Sequence, residues 1–338
     1  MKAHRAILCV LAAMLMAAPV MSAAQTQRVP TKPPAKPAAK SGPQTPAPAS
    51  ERSSEGELDL AYAAYQRGHY LSAFKEATRR VETKSDPKAM TLLGELYANG
   101  YGVPLNDQKA VEWYKLAADR GDREAMFGLA IFRLLGRGGP RDRDEATKLL
   151  ASAAKLGHSG AAYDLGLLYL EGQQFPQDYS RAADMFRAAA RAGNSDAQYA
   201  LATLYKEGRG VAKDPTEAAR LLSAAALAGN SDAEVEYAIA LFNGVGVAKD
   251  EAAAAVLFLK AARKGSPIAQ NRLANILARG RGLPANAVEA AKWHLIAKAG
   301  GDGDVGMDDF VAKLTPEDRA AAEKAAKPWL EVVAASRP

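Results

Sequence analysis

The sequence has 338 residues, of which 48% are hydrophobic, 24% charged and one a cysteine, with a formal charge of +6. That charge invites a polyanionic partner, but Lys2, Arg5, Arg28, Lys32, Lys36 and Lys40 account for all of it; from Glu51 onward 38 basic residues face 38 acidic ones. A body of zero net charge excludes the footprint of a nucleic-acid-binding domain, and with Cys9 in the leader the mature chain would have no disulfide, thiolate nucleophile or cysteine–metal site.

Residues 1–24 read as a secretory signal peptide. Lys2 and Arg5 precede the uncharged run Ala6 to Val20, and Ser22-Ala23-Ala24 supplies small residues for cleavage after Ala24. The apolar run is shorter than the roughly 20 residues a spanning helix needs, which favours cleavage over a retained anchor. No later segment is long and apolar enough to span a membrane. The Ala-rich leader has a bacterial style and predicts a periplasmic destination.

Residues 25–55 read as a disordered linker rich in Pro, Ala and Lys. Seven prolines between Pro30 and Pro48 deny it a helix or a sheet ladder, and little apolar surface is available to bury. Contact of its four cations with an anionic membrane or cell-wall polymer is the alternative reading.

Residues 56–85 predict one tetratricopeptide-like hairpin. Leu58, Ala61, Tyr62 and Tyr65 recur at helical spacing, Gly68 breaks the run, and Ala73, Phe74 and Ala77 resume it.

From Asp86 the text repeats every 36 residues, as Asp86, Asp122, His158, Asn194, Asn230 and Ser266 show. All of these except His158 read as caps that accept the free N–H groups of a helix start. An alanine column follows at Ala89, Ala125, Ala161, Ala197, Ala233 and Ala269, then a mostly leucine column at Leu93, Leu129, Leu165, Leu201, Tyr237 and Leu273. Gly100 and its equivalents end the first helix, with a second glycine two residues on. A second helix starts at Asn106, Asp142, Asp178, Asp214, Asp250 and Asn286. Two more alanine columns run through it, from Ala110 to Ala290 and from Ala117 to Ala297, with a large apolar pair such as Trp113-Tyr114 or Met185-Phe186 between them. A hairpin of this kind cannot bury its apolar face alone. The pattern therefore predicts an all-α solenoid of stacked helix-turn-helix units over residues 86–301. Residues 302–338 predict capping helices, with Asp302 at the start of a seventh unit and Thr315 capping a last helix that Pro328 bends near Trp329.

Ala89-Met90-Thr91-Leu92-Leu93-Gly94-Glu95-Leu96-Tyr97-Ala98-Asn99-Gly100-Tyr101-Gly102-Val103, with Trp113-Tyr114-Lys115-Leu116-Ala117-Ala118, resembles the Sel-one-like repeat, a relative of the tetratricopeptide repeat. The third unit departs from the pattern, because Gln173-Gln174-Phe175-Pro176 replaces its second glycine turn. The resemblance implies a right-handed α-solenoid that binds other proteins and acts as an assembly scaffold. Some members regulate exopolysaccharide or envelope signalling. A cysteine-rich branch has been linked to β-lactam hydrolysis, but its disulfide framework is absent here.

No residues assemble into a catalytic constellation in the sequence. His69, His158 and His294 fall in different units, and each fits a structural position. Asp142, Asp178, Asp214 and Asp250 read as caps, and the Gly-x-Gly turns follow helices rather than strands, unlike a phosphate loop. No metal and no cofactor is predicted.

Function is therefore expected where units differ on the concave face, which first helices line in tetratricopeptide-like stacks. Three columns of those helices carry an apolar centre with polar ends, and their candidate partner-binding residues are Phe127, Ile131, Tyr163, Leu167, Leu170, Tyr199, Val235, Ile239 and Phe242. The same side chains could equally pack between neighbouring first helices. The expected function is a non-enzymatic scaffold or regulator in the bacterial cell envelope, binding a protein or peptide partner. A cell-wall or β-lactam hydrolase is the enzymatic alternative, and an envelope polysaccharide stacking on the tyrosines is the alternative ligand.

Overall fold

The chain divides into two units, residues 1–51 and 52–338. The structure, a computed structural model, describes residues 59–172 and 176–335. The signal peptide at 1–24, the linker at 25–55 and the Gln173–Phe175 stretch of the third unit lie outside the described residues.

The described residues form sixteen helices and no strand. The first hairpin is α1 (Asp59–Gln66) and α2 (Tyr70–Lys84). Six two-helix units follow: α3 (Pro87–Asn99) with α4 (Asp107–Ala118), α5 (Arg123–Leu135) with α6 (Arg143–Lys155), and α7 (Ser159–Glu171) with α8 (Tyr179–Arg191). The next three pair α9 (Ser195–Glu207) with α10 (Pro215–Leu227), α11 (Ser231–Asn243) with α12 (Glu251–Arg263), and α13 (Pro267–Arg279) with α14 (Ala287–Ala299). The described chain ends in α15 (Val305–Ala312) and α16 (Pro316–Ala335). Helices α1 to α15 pack on their neighbours in sequence and α16 returns to pack on α14, which makes an all-α solenoid.

Local chemistry sets the boundaries. Asn194 Oδ1 accepts from the N–H of Ala197 at 2.8 Å, and Asp214 Oδ1 accepts from Thr216 and Glu217, both at 3.0 Å. His158, excluded as a cap in the sequence reading, caps as well: its Nδ1 accepts from Ala161 N–H at 2.9 Å. A neutral imidazole offers one acceptor nitrogen, and here it replaces the amide or carboxylate oxygen of the other units.

The turn glycines answer a packing demand as well as a dihedral one. Gly246 has φ 72°, and a Cβ there would overlap the Pro215 carbonyl at the start of the preceding unit's second helix. The Gly-x-Gly turn thus seats each unit on the one before it.

The core runs through each unit and across to the next. The twelve second-helix alanines of the two columns are nearly or fully buried, and one cluster joins Ala162, Phe186, Leu201, Leu222 and Ala233 across three units. Phe186 shows how large and small residues interlock. Its ring fills the space beside Gly166, where a Cβ would sit 2.6 Å from it. Full burial of such a side chain contributes about 1.5–3 kcal/mol, and no unit gains it without a neighbour.

The C-terminal end departs from the sequence reading in one place. Asp304, not Asp302, caps the helix of the seventh segment, accepting from Met307 N–H at 3.2 Å; Asp302 instead accepts from Asn271 Nδ2 at 3.2 Å. α16 runs through Pro328 as one helix, as the sequence reading has it. It is held on both sides of the proline, with Ala322 and Ala326 buried and Trp329 against Trp293 of α14 at 5.3 Å.

Candidate functional site: the face of the first helices

In α9, Ala197, Leu201 and Leu204 are buried along one seam. Helical geometry of 3.6 residues per turn then puts Asp196, Ala200, Thr203 and Glu207 together on the opposite side, one turn apart in succession. The same row in α5 is Glu124, Gly128, Ile131 and Leu135. In α7 it is Gly160, Asp164, Leu167 and Glu171, and in α11 it is Asp232, Glu236, Ile239 and Asn243. This row is the outward face of the first helices.

Ile131, Leu167 and Ile239 of the nine residues singled out from the sequence lie on that row. The other six lie on its flanks, where side chains lean toward neighbouring units. Leu167 and Val235 are buried, at 6% and 7% exposure, and the other seven are half-buried. Phe127 stacks on His158 of the next unit, with ring centroids 4.3 Å apart. Tyr163 meets Phe186 at 5.7 Å and joins Leu170 and Tyr199 around one core cluster. Ile239 and Phe242 pack around the next cluster, and the Arg281 guanidinium lies over the Phe242 ring at 4.5 Å. The flank positions do the same work at the ends of the stack, where Thr91 Oγ1 donates to Asp122 Oδ1 at 2.9 Å.

Sequence reasoning missed a sign of charge. Across the sixteen row positions of α5, α7, α9 and α11 there are seven acids and no base: Glu124, Asp164, Glu171, Asp196, Glu207, Asp232 and Glu236. Counting whole helices, these four carry eight acids against three bases, while α6, α8, α10 and α12 carry five acids against nine bases. The neutral body is therefore charge-separated between its two helix layers. The residues were legible in the sequence, but the signal lay in the row one face away from the alanine–leucine seam, and the net charge cancels it.

The row acids differ from those of the second helices in how they are satisfied. Glu145, Asp184, Glu217 and Glu251 are each held by an arginine: Arg133 at 2.6 Å, Arg187 at 2.5 Å, Arg220 at 2.7 Å, and Arg281. On the row, Glu236 pairs with Lys206 and Glu207 with Arg209, while Glu124 meets Arg123 and His158. Asp164, Glu171 and Asp232 have no cationic partner among the described residues. Burial pushes the Asp164 carboxyl up to about 7. Glu95, the equivalent row residue of α3, is likewise pushed up to about 7 by burial, reinforced by the charges of Glu124 and Asp122. Burial, and then neighbouring acids, raises the Tyr163 and Tyr199 hydroxyls to about 12.

Two clefts open at the ends of this face. One of about 710 Å³ is lined by Tyr62, Arg80, Thr91, Glu95 and Glu124. The other, of about 480 Å³, is lined by Phe242, Asn271, Asn275 and Arg279, where the row changes sign. The histidines stay apart: His69 is exposed at a helix start, His158 caps α7, and His294 is buried with Nε2 2.7 Å from Asp308 Oδ1. Among the described residues no three His, Cys, Asp or Glu side chains are grouped to hold a metal ion, and no helix is long and apolar enough to cross a membrane.

The Sel1 repeat model matches six consecutive segments, residues 87–122, 123–158, 159–194, 195–230, 231–266 and 267–302. Among solved structures, a Sel1 repeat protein from Oxalobacter formigenes is similar at 28% identity and a TM-score of 0.59, covering 71% of this chain and 96% of that one. The protein c5321, a protective antigen present in uropathogenic Escherichia coli strains displaying an SLR fold, is similar at 27% identity and a TM-score of 0.55, covering 82% of this chain and 68% of that one. No curated protein matches the chain.

Proposed function

The chain belongs to the Sel1 repeat family, and from that premise we propose that it is a non-enzymatic scaffold or regulator of the bacterial envelope that docks a protein or peptide partner on its first-helix face. Sel1 repeat proteins are generally protein–protein interaction scaffolds, and the fold is typically non-catalytic.

One observation carries the reading. The columns that all six units share are buried or are turns and caps, whereas the row that varies from unit to unit is, apart from the buried Leu92 and Leu167, half-buried or exposed on a single side. Selective recognition needs variation at accessible positions, and this row supplies it over several consecutive helices. The carboxyl groups with raised values, Glu95 and Asp164, stand two units apart. That arrangement suits docking better than hydrolysis.

An exported location fits the leader pattern of residues 1–24 and the likeness to a protein described as a protective antigen. Two measurements test the proposal. The intact mass of protein from the periplasmic fraction should correspond to a chain beginning at Gln25; the mass of the full chain would remove cleavage, and absence of the protein from that fraction would remove the export reading. A photoreactive residue at Leu135 or Asn243, on the row, should capture a partner in cells. Capture from Leu116 or Val256, on second helices, with none from the row would remove the docking face.

A further inference from the structure

Resting on the reading that the first-helix face is the docking face, we propose that its occupant over α5, α7, α9 and α11 is an extended peptide bearing lysine or arginine at about every third residue.

Charge complementarity carries the argument. Seven acids and no base occupy the outward row of these four helices. Four of the five acids of α6, α8, α10 and α12 are held by arginines of the chain itself, but Asp164, Glu171 and Asp232 on the row lack such partners among the described residues. Carboxylates in solution are well hydrated and need no partner. Asp164 is different, because it lies beside the core residues Leu165 and Leu167, and burial disfavours its ionised form. A cation placed there recovers what burial costs.

The spacing fits an extended chain. Lys206 of α9 reaches Glu236 of α11, so successive first helices stand within one long side chain of each other, roughly 10 Å, and an extended peptide advances about 3.3 Å per residue. A peptide crossing the row therefore meets a new helix, and a new acid, about every third residue. Between the charges, half-buried Ile131 and Ile239 and exposed Leu135 offer apolar contact to the intervening residues. The acidic run stops at α13, where the row becomes Ile268, Arg272, Asn275 and Arg279. An anionic partner such as a nucleic acid or a phospholipid headgroup would meet repulsion along the acidic row.

The test uses a synthetic twelve-residue peptide with lysine at every third position and alanine or leucine between. Glutamate and glutamine versions serve as comparisons, and each peptide carries a benzophenone. In anisotropy titrations at low salt, the lysine peptide should bind the full chain at least about tenfold more tightly than the others, and this preference should shrink as salt rises. The triple variant Asp164→Lys/Asp196→Lys/Asp232→Lys should lose about tenfold or more. Asp184→Lys, on α8, should change affinity by less than about twofold. Circular dichroism confirms that each variant is folded. Equal binding of the glutamine peptide, with crosslinks to first helices, would overturn the cationic occupant and leave the docking face standing. Crosslinks confined to second helices would overturn both, and a lysine peptide that binds no better than the glutamate one would overturn the proposal outright.

Discussion

Lys206 Nζ lies 2.6 Å from Glu236 Oε2, joining α9 to α11 across a unit boundary. It is the single base among the first helices α7, α9 and α11, and it is spent on one of their row acids. Both groups are partly exposed, so the pair contributes little to folding, below about 1 kcal/mol. Lys206→Ala should leave the denaturation midpoint nearly unchanged while strengthening binding of the lysine peptide, because it frees Glu236. Weaker peptide binding would mean that Lys206 itself contacts the occupant.

Asp164 gives the solenoid a pH dependence of predictable sign. Its folded-state value near 7 stands above the ordinary 3.8, so the folded state holds the proton more tightly than the unfolded one. The associated stability is complete below about pH 4 and is lost as pH rises toward 7. Asp164→Asn should therefore stabilise the chain at pH 8 by about 1–3 kcal/mol and by progressively less toward pH 4. Urea titrations at several pH values would measure this. A stability gap that does not change with pH would remove the buried-carboxylate reading.

The interlock of Gly166 with Phe186 predicts a size-dependent penalty. Gly166→Ala places a Cβ 2.6 Å from the ring and should destabilise by about 1–3 kcal/mol, despite alanine's better helix propensity. Adding Phe186→Leu should recover part of that loss, so the two changes should be non-additive in thermal unfolding.

His158 carries two roles that substitution can separate. His158→Asn keeps an accepting side-chain atom for Ala161 N–H, as Asn194 and Asn230 do in their units, but loses the stack on Phe127. His158→Ala loses both. The alanine variant should be the less stable by about 1 kcal/mol, the usual cost of a lost helix cap. Equal unfolding midpoints would show that the cap contributes nothing.

How far the sequence reached follows from what repeats. The caps, alanine columns and helix-ending glycines recur in register because every interface between units makes the same demand, so the fold class was readable at Asn194, Gly208 and Asp214 alone. The candidate site was only partly readable. Phe127, Tyr163 and Phe242 are conspicuous as aromatics, but they pack against other helices: Phe127 and Phe242 meet His158 and Arg281 of the next unit, and Tyr163 meets Phe186 of its own. The acids of the row occur one or two to a helix and cancel against second-helix bases in any sum over the chain. Only the three-dimensional separation of the two layers makes them a surface. His158 was misread as a non-capping residue because an imidazole is chosen as a cap less often than an amide, not because it cannot accept.

The most direct measurement is a methyl NMR titration of the full chain with the lysine peptide. Ile131, Leu135 and Ile239 report on the first-helix row, and Leu116 and Val256 on second helices, with Leu156 at the end of α6. Shifts and line broadening in the first group, with the second unmoved, are the predicted result. Perturbation of Leu116, Leu156 and Val256 with the row unmoved would contradict it.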